Sequence, residues 1–515
     1  MCSPNIGGCN KKSFFLSKSL QLSKKNRNFA SFLACRAKLK GKTLIMNNIE
    51  DSKMGTIKQW TPSEQSLACI LSESHYTPSE FVDALGSPSF TALLKKIKPG
   101  ALPWIKALFK AKVYSHVPGL NRRFAKECGL GLFAKRCWEI QSVTFSYNSR
   151  TVDGRDVVLS GRVTFLNNKD ASIPHRLKSI SLHTHQAFFD PSWTPSQNLM
   201  YVPLKVLWDS AVIEPDLQKW GITYGIESDG GGSAVTMAHQ LADCAVAALE
   251  VMQQYGVSLA PDGYTTNWGS SQGSVPTVCF AKWYDTEAPQ WFKDRLRLRS
   301  TYVVEGVCDV QEYMEYLYQH PELINIALVL IVGYFKAFSP EQLGGYKAGD
   351  FVPEWYNETK YEVNGRKLSY LDAVSHYIPD VLHIHSTKMT SFTEVFAPDM
   401  LTADGKVDLN CPKLRAWMSC HAKHCDLNNW TPAHPVYIAH SKADEMIPFE
   451  IAYSLYRRIS NNGQNPMVHM LSVPSMRFVP RGGMNPHFVL AFMGQIMMAF
   501  AENPEGMQRL YKTVK

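Results

Sequence analysis

Asp262-Gly263-Tyr264-Thr265-Thr266-Asn267-Trp268-Gly269-Ser270-Ser271-Gln272-Gly273 decides the fold. Residues 264–268 read as a buried strand, and the next five residues read G-x-S-x-G. In a strand-to-helix turn this pattern puts the central serine at the apex of a sharp bend. The flanking glycines remove side chains that would clash there. Ser271 is the candidate nucleophile, and Gly269 and Gly273 frame its elbow.

Working outward, the chain on both sides of this stretch alternates between strands and helices. Residues 142–147 and 157–165 flank a turn at Val152-Asp153-Gly154-Arg155, which suggests an antiparallel pair. Strands are then expected at 179–183 and 211–216. A long helix follows, in which Leu241, Cys244, Ala245, Ala248, Leu249 and Met252 recur at helical spacing. Beyond Ser271 come a helix, a strand at 301–306, a strand at 435–440, a helix at 450–459, a strand at 467–473 and a closing helix at 488–501. This is the pattern of an α/β fold, a mostly parallel sheet with helices on both faces.

A serine hydroxyl is a poor nucleophile alone; it needs a base within reach, and the base needs a carboxylate to orient it. In such a sheet all three sit on loops beyond the carboxyl ends of strands, in the order Ser, acid, His. Asp444 follows the strand ending at His440, in Ser441-Lys442-Ala443-Asp444-Glu445-Met446-Ile447-Pro448, and His487 follows the last strand. Glu445 and Asp309 are rival acids, and an ordinary strand-to-helix serine is the rival reading of Ser271. The three-part order favours Ser271, Asp444 and His487.

On these residues the chain resembles the α/β-hydrolase superfamily, and within it the secretory lipase and esterase group. The resemblance runs from about residue 142 to the C-terminus. It rests on Gly269–Gly273, the Asp-x-x-Ile-Pro run from Asp444 to Pro448, Pro486-His487-Phe488, Glu214-Pro215-Asp216, and the Trp430-Thr431-Pro432-Ala433-His434-Pro435 lead into the acid-bearing strand. It implies an α/β-hydrolase fold with a helical cap insertion and hydrolysis of a small-molecule or lipid-like ester through an acyl-enzyme, with no cofactor. A serine peptidase of the same fold and a non-catalytic binding protein are the alternatives. One oxyanion donor is expected from the backbone N–H of Gln272. The other is expected from the loop His183-Thr184-His185-Gln186-Ala187, with Thr184 and His185 the candidates. Relatives often carry His-Gly where this chain has His183-Thr184. The group is secreted or bound to the cell envelope, although no convincing signal peptide is visible.

The expected organisation is a basic leader at 1–46, a helical extension at 47–140, the first part of the core at 141–309, a helical cap at 310–410 and the rest of the core at 411–515. Within the extension, Thr77-Pro78-Ser79-Glu80 is a helix start, and Trp104, Ile105, Leu108 and Phe109 share a face that packs on the main domain or lies on a membrane. The 323–335 run is apolar almost all round but too short to span a bilayer.

The 515 residues include 54 Lys and Arg against 45 Asp and Glu. Ten of those basic residues fall in 1–46, which has no acid, so the remainder holds 44 against 45 and offers a nucleic acid no electrostatic footing. The leader suits a targeting segment, a disordered tail or a start placed ahead of Met46 or Met54. No transmembrane segment is expected, and nothing sets the oligomeric state. Twelve cysteines in a chain this long do not make a disulfide scaffold. Gly129-Leu130-Gly131-Leu132-Phe133-Ala134 lacks the strand a dinucleotide fingerprint needs, and Gly230-Gly231-Gly232 lacks a P-loop lysine. Cys411, Cys420, His421, His424 and Cys425 are zinc-type ligands at no standard spacing; a metal, a disulfide and plain helix residues are the three readings, the last favoured.

Overall fold

A computed structural model of the chain describes residues 60–64, 66, 68–77, 80, 81, 84, 138–168, 174–186, 191–199, 205–206, 209–228, 230–306, 310–320, 334–358, 360–363, 365–384, 391–444, 446–473 and 487. The leader, the face around Trp104, the Gly129–Ala134 stretch, residues 323–333 of the apolar run, Asp309, Glu445 and the closing helix at 488–501 lie outside the described residues.

The sheet starts from a strand that was not expected. β1 (Cys69–Tyr76) falls in the stretch read as helical and pairs antiparallel with β2 (Trp138–Arg150). Cys-Ile-Leu-Ser-Glu-Ser-His-Tyr is apolar only at its first half, so its pattern is weak; the open edge of β2 supplies the backbone partners that make it a strand. The helix start just after it is as expected. Glu80 accepts from the Thr77 N–H at 2.8 Å, and Thr77 Oγ1 accepts from the Glu80 N–H at 3.3 Å, a reciprocal capping box.

β2 and β3 (Asp156–Asn168) form the expected hairpin, in register Ser142 to Thr164 and Tyr147 to Leu159. β4 (His175–Thr184) and β5 (Ser210–Pro215) lie parallel to one another, and β5 also pairs antiparallel with β3. Helix α1 (Ala234–Gln254) starts at Ser233, whose hydroxyl accepts from the Thr236 N–H. Its Leu241, Cys244, Ala245, Ala248 and Met252 are buried as their spacing predicts, while Leu249 is half-buried. Cutting fully buried Leu241 back to Ala would cost about 2–5 kcal/mol, a transfer loss plus a cavity.

β6 (Val257–Ser270) leads into α2 (Ser274–Thr286), followed by α3 (Gln290–Leu296) and β7 (Leu298–Val304). The alternation then stops at α4 (Val310–Gln319) and α5 (Glu354–Glu358). The 310–410 stretch, expected to be largely helical, also contains a short antiparallel hairpin of β8 (Lys360–Val363) and β9 (Arg366–Ser369). Gly365 takes φ +76°, the conformation an Asn-Gly turn supplies cheaply. α6 (Tyr370–Ile384) kinks at Tyr377, two residues before Pro379, whose ring cannot continue a straight helix. α7 (Pro412–Lys423), β10 (Val436–Ser441), α8 (Phe449–Ile459) and β11 (Val468–Val473) resume the alternation.

The nine strands take the order β1-β2-β3-β5-β4-β6-β7-β10-β11, and from β5 to β11 every neighbouring pair is parallel. The carboxyl ends of β4, β6, β7 and β10 therefore open on one edge, and the strand order doubles back at β4 and β5 beside β6. That is where the loops of an open α/β sheet build a site. Among the described residues, no helix is long and apolar enough to cross a membrane.

Candidate active site

β6 runs extended to Ser270 (φ −132°, ψ 149°), and Ser271 then turns to φ +52° before a short 3-10 turn, Ser271–Gly273, feeds α2. A left-handed conformation at a non-glycine residue costs about 1–2 kcal/mol, because Cβ crowds the following carbonyl. The two glycines explain how so tight a turn fits. A Cβ at Gly269 would run into the carbonyl oxygen of Gly273 and the Thr277 hydroxyl; one at Gly273 would run into the carbonyl oxygens of Thr184 and His185. The elbow and the loop after β4 thus pack backbone against backbone.

Ser271 Oγ lies 2.7 Å from His487 Nε2, and His487 Nδ1 lies 2.7 Å from Asp444 Oδ2. A carboxylate only accepts, so Nδ1 carries the proton and Nε2 is left with its lone pair facing the serine hydroxyl. His487 is 1% exposed. The other oxygen of Asp444, Oδ1, accepts from the N–H groups of Met446 and Ile447 at 2.9 and 3.0 Å. Burial pushes the Asp444 carboxyl up, but the hydrogen bond and charge of His487, with the Ile447 N–H and His440, outweigh it and hold the group below its usual range.

The oxyanion candidates sit beside this array. Thr184 ends β4, opposite Gly269 in register, and is fully buried. His185 is held between the carbonyls of Gln186 at 2.7 Å and Asp216 at 2.9 Å, and burial pushes its imidazole pKa down. Asp216, from the Glu214-Pro215-Asp216 run, accepts from the Ser196 N–H and the Ser160 hydroxyl, so its backbone is a fixed support for His185. His183 packs at a tilt against Trp268, with ring centroids 4.3 Å apart, and meets Glu214 at 3.3 Å. The Gln272 side chain leaves the elbow in another direction and donates to the Tyr334 hydroxyl at 2.6 Å, which ties the 310–410 insertion to the residue after the serine.

Two residues near Asp444 went unread in the sequence. Glu305, just past β7, and His440, in β10, are buried with Asp444, each having a ligand-type atom within 4.8 Å of the others. Among the described residues no other such group of three converges. Cys411, Cys420, His421, His424 and Cys425 do not come together as a metal-type cluster: His421 stacks on Trp417, His424 Nδ1 meets Ser233 Oγ at 2.8 Å, and none of the three cysteines is in a disulfide.

Among solved structures, the chain is similar to the rice cell wall degrading esterase LipA from Xanthomonas oryzae, at 12% identity over 73% of this chain and 93% of that one, with a TM-score of 0.54. It is also similar to a protein of Legionella pneumophila described as a hydrolase, at 15% identity over 70% and 88% of the two chains and a TM-score of 0.53. The chain has an α/β-hydrolase fold. No family model matches the sequence, and no curated protein does. At these identities the likeness concerns architecture alone, and the chemistry has to be argued from the residues. Ser271 and Asp444 lie just beyond β6 and β10, and His487 follows β11 in the chain.

Proposed function

We propose that this protein is a serine hydrolase that cleaves carboxylic esters through a Ser271-His487-Asp444 acyl-enzyme mechanism. The observation that carries the reading is the unbroken relay of two 2.7 Å hydrogen bonds ending on a serine held at φ +52°. The fold supports it by putting the relay at the carboxyl ends of parallel strands, and the resemblance to esterases points to the bond cleaved.

In this mechanism Asp444 keeps His487 in the tautomer whose Nε2 faces Ser271. His487 takes the hydroxyl proton as Oγ attacks the ester carbonyl. The backbone N–H of Gln272 and the loop at Thr184 and His185 receive the oxyanion, each donor worth roughly 3 kcal/mol in related chemistry. His487 then gives its proton to the leaving alcohol, and a water repeats the sequence to release the acid. No metal or organic cofactor enters. The 310–410 insertion is the cap of this reading: Tyr334 bonds to Gln272, and its ring packs where a side chain at Gly231 would have to go, so the insertion covers the elbow.

The test is labelling by a fluorophosphonate probe of the wild type and of Ser271→Ala, followed by nitrophenyl esters of increasing chain length. The wild type is expected to label at Ser271 and to hydrolyse the esters, with both lost in the variant. Labelling that survives in Ser271→Ala removes the nucleophile, and turnover confined to aminoacyl amides replaces the esterase by a peptidase.

A further inference from the structure

The relay does not use Glu305, although its carboxyl is buried beside Asp444. The residue is 1% exposed and its backbone is fixed at φ +47°, with its N–H donating to Ala439 at 2.9 Å. Both carboxyl oxygens lie against the Ser441 N–H, at 3.0 and 3.1 Å. Its carboxyl also meets the Asp444 side chain, the two acids and His440 having atoms within 4.8 Å of one another. His440 stands between the two acids, its Nε2 3.6 Å from each. That nitrogen is 2.7 Å from the Ile447 carbonyl, which can only accept, so Nε2 carries the proton and cannot serve as a metal ligand.

The charges at this site must be counted together. Burial lowers the pKa of His440, so the imidazole is neutral. His487 donates a hydrogen bond from Nδ1–H to Asp444. Further out are the Tyr313 phenol of α4, facing Asp444, and Glu450 of α8, facing His440. Among the described residues, the groups acting on Glu305 include no Lys or Arg. Two carboxyls sharing a buried pocket cannot both ionise, and the one with the better donors keeps the charge. Asp444 has His487 and two backbone N–H groups, whereas Glu305 has one.

We propose that Glu305 is a positioning residue for the relay: it keeps its proton at neutral pH and uses it in a hydrogen bond to the Asp444 carboxylate, so that Asp444 is the sole anion of the pair and stays aimed at His487. The inference rests on the reading of Ser271, Asp444 and His487 given above. The electrostatics agree, since burial and the Asp444 charge push the Glu305 carboxyl up to about 9. Once Glu305 ionises, the donor is gone and a second negative charge faces Asp444, which frees the aspartate to turn away from His487.

The test compares wild type, Glu305→Gln and Glu305→Ala from pH 6 to 10.5 (about), reading the rate of fluorophosphonate labelling and the low-field proton resonance of His487 Nδ1–H in histidine-labelled protein. Wild type is expected to lose labelling rate and resonance together above a pH of about 9. Glu305→Gln, whose amide still donates, should label within about threefold of wild type at pH 7 and keep both signals at high pH. Glu305→Ala should label about tenfold more slowly or worse, with kcat for a nitrophenyl ester lowered and KM unchanged. An alkaline loss in Glu305→Gln like that of wild type, or a defect as deep as that of Glu305→Ala, overturns the proposal. Should Glu305→Ala fail to fold, the comparison of wild type with Glu305→Gln decides alone. Absence of labelling at Ser271 in wild type would sink the nucleophile; the resonance would still report whether Glu305 holds Asp444 on His487.

Discussion

Replacing Ser271 by Gly and by Ala separates the chemistry of the elbow from its strain. Both variants lose the hydrogen bond to His487 Nε2, worth about 1 kcal/mol, and leave that buried nitrogen without its serine partner. Ala keeps a Cβ at φ +52° and so keeps the strain of about 1–2 kcal/mol. Gly sheds that strain but gives back about 0.5–1 kcal/mol through the greater freedom of its unfolded chain. Ser271→Gly is therefore expected to be more stable than Ser271→Ala by about 0.5–1 kcal/mol, the reverse of the order at an ordinary helix position. Urea unfolding followed by circular dichroism measures the difference, and fluorophosphonate labelling should be lost in both. If Ser271→Ala is as stable as Ser271→Gly, the turn is not strained and the left-handed serine is not what the sequence pattern is built to hold.

Three further perturbations test other parts of the site. Asp444→Asn can no longer hold His487 as a carboxylate does, and its kcat on a nitrophenyl ester should drop by about 10⁴; activity close to wild type would move the acid role to another residue, with Glu445 the first to mutate. Gly273→Ala forces a methyl into the carbonyls of Thr184 and His185, so it should cost about 1–3 kcal/mol in thermal unfolding and slow labelling, and an unperturbed variant would mean that loop and elbow are not in contact. Asp243, buried in α1 with Ser149 Oγ donating to it at 2.7 Å, has its carboxyl pushed up to about 8 by burial. The folded state thus holds a proton that the unfolded chain releases from pH 4 to 8 (about), and stability falls as pH rises through that window. Asp243→Asn still accepts from Ser149 and removes the penalty, so it should raise the melting temperature at pH 8, by at most about 5 kcal/mol in free energy, and change little at pH 4; equal shifts at both pH values would refute the assignment.

Much of this fold was legible because parallel strands buried on both faces leave continuous apolar runs. Residues 211–216 and 435–440 were read within a residue or so of β5 and β10. Ser271, Asp444 and His487 stand out as candidates in the sequence because each follows a strand in an order that chain topology fixes. Glu305 was not, since its significance comes from lying beside Asp444, and that neighbourhood depends on β7 and β10 being adjacent, a pairing no local pattern encodes. The β8 and β9 hairpin did carry a signal, Asn364-Gly365 between alternating residues, which the helical texture of its surroundings masked. β1 had little signal of its own: only the partner strand makes it one.

That first strand bears on solubility. Without it, the edge of β2 from Ile140 to Ser146 would offer unpaired N–H and C=O groups to any passing chain. β1 covers them with an outer edge that is hard to extend, interrupted by a register shift between Ile70 and Ser72 and exposing Glu73 and His75. A chain cut to begin at Trp138 would keep every residue of the relay, yet it would trade a guarded edge for an adhesive one and gather into strand-paired aggregates.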